Sequence, residues 1–436
     1  MTSKRIARAM TSSAKVLFLL SLTLCASCAV DNNSIQSSLS SNGTADVKTS
    51  LPVLALGDGG VSDFYRVAAE DIPNKAGVFL KQESLQSHQS VPGAANNVRV
   101  LYTSTNGLDG ESIVTVSGSI FLPEGEAPEG GWPLIVWSHG TVGIADVCAP
   151  SWTGYVSFHE QYLKQWLDQG YAIAASDYQG LGTVGTHPYL ATRPAAYSNL
   201  DMIRATKGLK HNFSDKIVVV GQSQGAGAAI ATAAYARDYA PEIKLLGVVA
   251  TGVPFFSPET LIAIQEARPT DKVDPMLGYN FLALTLLEQL LPEFSLADYV
   301  YEAILPTARA VSTVCNRDMR KRITREGLTY DTTFKNSPAE PLKVAFRQMG
   351  YPTLKIDTPI YLGAGSIDRD TPPRMQASFA RKACAAGTAM QVHLYEGYDH
   401  LTALNHSTID SIPFVRTLMS GGKIESNCSS LPFKSY

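Results

Sequence analysis

Apolar positions along the chain follow successive patterns, and each predicts a different structure. From residue 134 to 251, short β-branched runs alternate with amphipathic stretches. Leu134 to Trp137 predicts a strand, Phe158 to Gln169 a helix ending at Gly170, and Tyr171 to Ser176 a strand. Pro194 to Lys210 predicts a helix, Ile217 to Val220 a strand, 224 to 238 a helix, and Leu245 to Thr251 another strand. Strands and helices alternating at this spacing predict an α/β architecture, a mostly parallel central sheet covered by helices on both faces. Ahead of it, Val98 to Ser104 and Ser112 to Leu122 flank Asn106-Gly107 and Asp109-Gly110, a hairpin expected at the sheet edge. Asp63 to Gln86 is a lead-in with little pattern.

The alternation stops near Phe255 and resumes near residue 350. Between them Met276 to Leu291 carries apolar helical periodicity, which predicts a helical cap inserted into the sheet domain. Such a cap can be its own small core and also a lid over an apolar pocket. The sheet resumes with Pro359 to Leu362, followed by a helix from Pro373 to Ala386, a strand from Gln391 to Tyr395 and a helix from Ile409 to Met419. The expected organisation is a leader over 1–28, a disordered tether over 29–60, core over 61–254, cap over 255–350 and core again over 351–436.

The leader reading rests on Lys4, Arg5, Arg8 and Lys15 ahead of the apolar run Val16 to Ala26, too short for an ordinary membrane span. Export is therefore expected, to the periplasm, the outer membrane or the medium. Ala26 and Ser27 before Cys28 resemble a bacterial lipobox, although Cys25 takes the place usually held by leucine. Acyl attachment at Cys28, hence to a membrane, and simple cleavage are both open. Residues 29 to 60 are rich in Ser, Asn, Thr and Gly. Loss of 1–28 removes four basic and no acidic residues, so the formal charge goes from −3 to −7. That sign argues against a nucleic-acid partner. The basic run Arg317, Arg320, Lys321, Arg322 and Arg325 is expected to be a solvated helix face. Four of the six cysteines, 148, 315, 384 and 428, survive processing. In an exported protein they predict two disulfides, and spacing leaves three connectivities open.

The chemistry centres on Gly221-Gln-Ser-Gln-Gly225, which fits G-x-S-x-G between a β-branched strand and a helix rich in small residues. Such a turn exposes the serine hydroxyl above the sheet edge. A serine needs an adjacent base, itself oriented by a third group. Asp368 follows one later strand and His400 the next, so both loops leave the same sheet edge as Ser223. Asp370 rivals Asp368. His393 is expected inside a strand and His406 at the start of the last helix, while His88, His159, His187 and His211 have no matching loop. His139-Gly140-Thr141 follows the strand Leu134 to Trp137, where backbone N–H groups of Thr141 and Gln224 are expected to form an oxyanion hole. His139 is expected to stabilise that turn. Asp177 is expected to bond local backbone, and Tyr178 is a candidate substrate contact.

The segments Trp137-Ser-His-Gly-Thr-Val-Gly-Ile-Ala-Asp-Val-Cys-Ala-Pro-Ser151 and Asp177-Tyr-Gln-Gly-Leu-Gly-Thr-Val-Gly-Thr-His-Pro-Tyr-Leu190, with the serine motif, resemble the secretory lipase family of α/β-hydrolases, in its bacterial branch. The resemblance spans about residues 60 to 430. It implies an α/β-hydrolase fold with a helical cap and a triad of Ser223, Asp368 and His400. It also implies disulfides Cys148–Cys315 and Cys384–Cys428. Ala226 stands where many relatives have glycine. The expected activity is hydrolysis of small-molecule or lipid carboxylic esters through an acyl-enzyme. No metal or cofactor is expected, since H-E-x-x-H and clustered His/Cys sets are missing from the sequence. A serine peptidase or amidase on the same fold and a non-catalytic surface binding protein are the alternatives.

Overall fold

The computed structural model describes residues 59–257, 260–261 and 268–433. The leader, Cys28 and nearly all of the tether therefore lie outside the described residues. The tether's last two positions are described, and Gly59 already donates its N–H to Asp146 Oδ2 at 2.8 Å.

Nine strands form one sheet among the described residues: β1 (Phe79–Ser84), β2 (Ala94–Thr105), β3 (Ile113–Pro123), β4 (Trp132–Ser138), β5 (Ala172–Ser176), β6 (Phe213–Gln222), β7 (Leu245–Thr251), β8 (Ile360–Gly365) and β9 (Met390–Tyr395). Their order is β1-β2-β3-β5-β4-β6-β7-β8-β9. The first three pairings are antiparallel and the rest parallel. The predicted hairpin is β2–β3, but it is not the edge. β1 covers it, drawn from the stretch expected to be a lead-in. Charged Lys81 and Glu83 on β1 blur the period-2 signal, as suits a strand with one unpaired side.

The β-branched run of β6 has a steric explanation. Ile217 and Val219 face one layer, with Leu134, Val136, Leu200, Ile230 and Phe379. Val218 and Val220 face the other, with Ile135, Trp137, Tyr162, Trp166 and Phe414. Both faces of the strand are thus apolar surfaces removed from water. The first layer contains α3 (Thr192–Thr206), α4 (Gln224–Tyr239) and a later helix at Pro373–Ala385, and the second contains α2 (Ser157–Leu167) and a last helix at Thr408–Met419. A single turn, α1 (Pro150–Thr153), precedes α2.

Between β7 and β8 lie α5 (Leu277–Leu290), α6 (Leu305–Arg309), α7 (Asn316–Glu326), α8 (Tyr330–Thr333) and α9 (Ala339–Gln348). They share a third apolar cluster, which includes Leu277, Phe281, Leu287, Met319, Ile323 and Leu342. Leu282, Leu284 and Leu286 of α5 are buried too, so this helix is apolar nearly all round, as an interior helix must be. After β8 come α10 (Pro373–Ala385), α11 (Thr402–His406) and α12 (Thr408–Met419). His406 ends α11 rather than starting the last helix.

Both disulfides implied by the resemblance are present. Cys148–Cys315 ties the loop after β4 to the start of α7, and Cys384–Cys428 ties α10 to the C-terminal tail. They close segments of 167 and 44 residues. By loop-closure entropy, replacing Cys148 and Cys315 together by serine should cost about 1 kcal/mol more than the same change at Cys384 and Cys428. Urea unfolding of the two double variants checks this; the reverse order would mean that native contacts, not loop closure, set the cost.

Candidate active site

Ser223 is the pivot between β6 and α4. Its backbone stands at φ 58° and ψ −124°, a conformation a side chain seldom adopts. Three bonds hold it there: its N–H donates to Thr251 O at 2.9 Å, and its carbonyl accepts from Ala226 and Gly227. The flanking glycines are required by close approach. A Cβ on Gly221 would lie 2.0 Å from Gly225 O, and one on Gly225 would lie 1.9 Å from Ser138 O. The turn therefore presses against the end of β4 and lifts the serine above the sheet edge.

His400 reaches the same place from the loop after β9. Its Nδ1 lies 2.7 Å from Asp368 Oδ2. A carboxylate oxygen only accepts, so Nδ1 carries the proton and Nε2 presents a lone pair. Nε2 is buried and has no hydrogen-bond partner among the described residues. The ring packs on Gly252, where a Cβ would sit 2.8 Å from its Cε1. Gly252 directly follows Thr251, whose carbonyl holds Ser223. Gln222 Nε2 donates to His400 O at 3.3 Å. The residues on either side of the Ser223 contact thus both touch His400.

Asp368 is held on all sides. Its Oδ1 accepts the N–H groups of Asp370 and Thr371, both at 2.9 Å. Its Oδ2 accepts from Thr371 Oγ1 at 2.9 Å and Gln376 Nε2 at 3.3 Å, besides His400. Burial alone would lower the His400 pKa. The hydrogen bond and charge of Asp368, with Asp370 behind it, outweigh burial and raise it above the ordinary histidine value. Asp370 points elsewhere, into contacts with Tyr279 and Arg320.

Thr141 and Gln224 line one cavity with Ser223, of about 900 Å³. Its walls include Leu190, Phe256, Leu277, Phe346 and Met375. Thr141 Oγ1 lies 3.1 Å from Tyr189 OH. His139 caps its own turn, with Nδ1 2.7 Å from Gly140 O and Nε2 3.2 Å from Asp177 O.

Two candidate roles are corrected. Tyr178 does not reach the cavity: at φ 71° its ring turns inward, it is wholly buried, and its hydroxyl donates to His139 O at 3.0 Å. It supports the 139–141 turn from beneath. Asp177 does not bond local backbone. It joins distant elements, accepting from Ser117 Oγ at 2.6 Å, from Ser151 N at 3.0 Å and from Ser151 Oγ. Burial pushes its carboxyl upward against those donors. Arg320 likewise leaves the expected solvated face of α7.

The sequence reading missed three residues. Gln222 and Gly252 hold His400, as described. His187 is buried, which pulls its pKa down to about 4. Its Nδ1 donates to Gln179 O at 2.9 Å, which leaves Nε2 to accept from Gln224 Nε2 at 2.9 Å. Only Gln222 left a trace in the sequence, as a polar residue within the serine motif. Among the described residues there is no group of three or more His, Cys, Asp or Glu placed to hold a metal ion.

The chain is similar to known proteins. The family model described as "Secretory lipase" matches residues 148–277. Lipase A of Moesziomyces aphidis is 25% identical over 388 residues, 80% of this chain and 79% of its own length. Lipase 7 of Candida albicans is 32% identical over 111 residues, 23% of this chain and 25% of its own. The closed-state structure of Candida antarctica lipase A superposes with a TM-score of 0.69 at 19% identity, covering 85% of this chain and 88% of that one. The ligand-bound rice cell wall degrading esterase LipA from Xanthomonas oryzae gives 0.62 at 19% identity, covering 79% and 97%. These two likenesses speak for the fold. Taken with the partial family match and the curated relative, they support an ester hydrolase similar to the secretory lipases, built on the α/β-hydrolase fold.

Proposed function

We propose that the protein is an exported carboxylic-ester hydrolase whose nucleophile is Ser223, with His400 as base and Asp368 as the orienting acid. The observation that carries this is the 2.7 Å His400–Asp368 bond, which leaves a buried, partnerless Nε2 on a ring packed against Gly252, next to the Thr251 carbonyl that holds Ser223. Ser223 Oγ attacks the ester carbonyl as Nε2 takes its proton. The imidazolium then returns a proton to the departing alcohol, and the acyl group stays on Ser223. Water, deprotonated by the same nitrogen, attacks the acyl-enzyme; the acid leaves and Ser223 recovers its proton. The backbone N–H groups of Gln224, at the start of α4, and Thr141 are the proposed oxyanion donors. Each such donor contributes roughly 2.7–4 kcal/mol at the transition state. The substrate class is an ester with a sizeable apolar part, to suit the mostly apolar walls around the serine. The helices of residues 255–350 act as a cap over that cavity. Acyl attachment at Cys28 has the lipobox-like motif as its sole support.

A fluorophosphonate probe should label the protein, and Ser223→Ala should abolish both labelling and turnover; labelling that persists removes the assignment. Asp368→Asn should lower kcat by roughly three to four orders of magnitude, because the imidazole loses its tautomer and its counter-charge. Asp370→Asn should stay within about tenfold of the parent, since its carboxylate bonds Tyr279 and Arg320 rather than the imidazole. The reverse ranking would exchange the two aspartates.

The raised His400 pKa sets a further expectation. The base works only when neutral, so kcat/KM should fall as pH drops through an apparent pKa above 6.5, the ordinary histidine value. A pH–rate profile on a soluble short-chain ester reads this directly. An acid limb centred below that value would contradict the geometry.

A further inference from the structure

The loop that carries Asp368 is held from outside the sheet domain. Asp370 donates its N–H to Asp368 Oδ1 at 2.9 Å, so whatever fixes residue 370 also aims the Asp368 carboxylate. The Asp370 side chain turns the other way. Its Oδ1 accepts from Tyr279 OH at 3.0 Å and from Arg320 at 3.1 Å. Tyr279 belongs to α5 and Arg320 to α7, both helices of the segment between β7 and β8. The Arg320 guanidinium also donates to Tyr279 OH at 3.2 Å and lies 5.7 Å from its ring centre.

Helix α7 is itself fixed at its first turn. Cys315 is bonded to Cys148, and Asn316 N donates to Val142 O at 2.8 Å. Tyr279 stacks on Tyr189, whose hydroxyl meets Thr141 Oγ1. One inserted helix is therefore bonded both to the loop that presents Thr141 and to the loop that presents Asp368.

We propose that Arg320 and Asp370 are a positioning pair: through them α7 holds the acid loop in register and keeps the charge beside the imidazole balanced. The proposal rests on the triad reading above. The balance follows from Coulomb's law in a partly buried setting. Asp370 alone would favour the imidazolium and so weaken the base near neutral pH; Arg320 offsets it. The other titratable groups facing His400 are Asp368, Asp399 on its own loop and His159 on α2, and none of them changes in this pair's variants.

The test is the acid limb of kcat/KM on a soluble ester, measured on the full chain with near-ultraviolet circular dichroism as a check of folding. Arg320→Met should move the limb to higher pH by about half a unit or more, and Asp370→Asn should move it to lower pH by a similar amount. Arg320→Lys should leave the limb near that of the parent, and Arg320→Met with Asp370→Asn should bring it back toward the parent. Each single charge-removing variant should lower kcat several-fold with KM little changed. If Arg320→Met does not fold, the opposite behaviour of Asp370→Asn and Arg320→Lys still decides. Limbs that stay put in both Arg320→Met and Asp370→Asn, or that move in the same direction, overturn the pairing. If Ser223→Ala is inactive when that happens, the triad stands and only the pairing falls. Turnover persisting in Ser223→Ala would overturn both.

Discussion

Between Ser138, Gly221 and Gly225 there is no volume for a side chain. The carbonyls of β4 and α4 occupy the space where a Cβ would stand. That contact forces the chain from β6 into α4 through a serine at φ 58°, a conformation that costs of order 1–3 kcal/mol by itself. The cost is met by the parallel pairing of β6 with β4 and β7, and by Thr251 O receiving the Ser223 N–H. Every other part of the site is placed relative to this turn. Gly140 stands over it, Gly252 backs the imidazole beside it, and Gln222 reaches from it to His400 O.

Beneath the 139–141 turn lies a buried polar assembly. Asp177, Ser117, Ser151, His139 and Tyr178 satisfy one another across β3, α1 and the loops after β4 and β5. A buried carboxyl without donors would be costly, so a full set of partners leaves this assembly with essentially one arrangement. It fixes the 139–141 turn from below, while Tyr189 of the loop after β5 and Asn316 of the insertion also bond Thr141. His187 plays the same part for Gln224. These groups hold the backbone of that turn and of Gln224 in one arrangement.

The insertion between β7 and β8 therefore does more than pack on itself. Its interior, built on α5, is an apolar core in its own right, yet its polar side chains Tyr279 and Arg320 reach the loop of Asp368 and Asp370. The disulfide at Cys148 fastens α7 to the loop after β4. Such bracing suits a site that draws Ser223, Asp368 and His400 from three separate strand ends. Each loop alone would wander, and small displacements of reacting groups are expensive in rate.

The sequence by itself determined the parts whose causes are local. A β-branched run covered on both faces, glycines at a tight turn and helices with apolar stripes leave marks at fixed spacing, so β4 to β9 and the Ser223 turn were legible. The chain order of serine, acid and base, each after a strand, pointed to Asp368 and His400. Tertiary structure decided what depends on partners remote in the chain. β1 is a strand because β2 offers it an unpaired edge, not because its own residues alternate. Tyr178 and Asp177 face inward because Ser117, Ser151 and His139, drawn from other elements, receive them there. Asp368 and Asp370 are two residues apart and chemically identical. Only the packing of α5, α7 and the His400 loop around that turn sends one carboxylate to the imidazole and the other to an arginine.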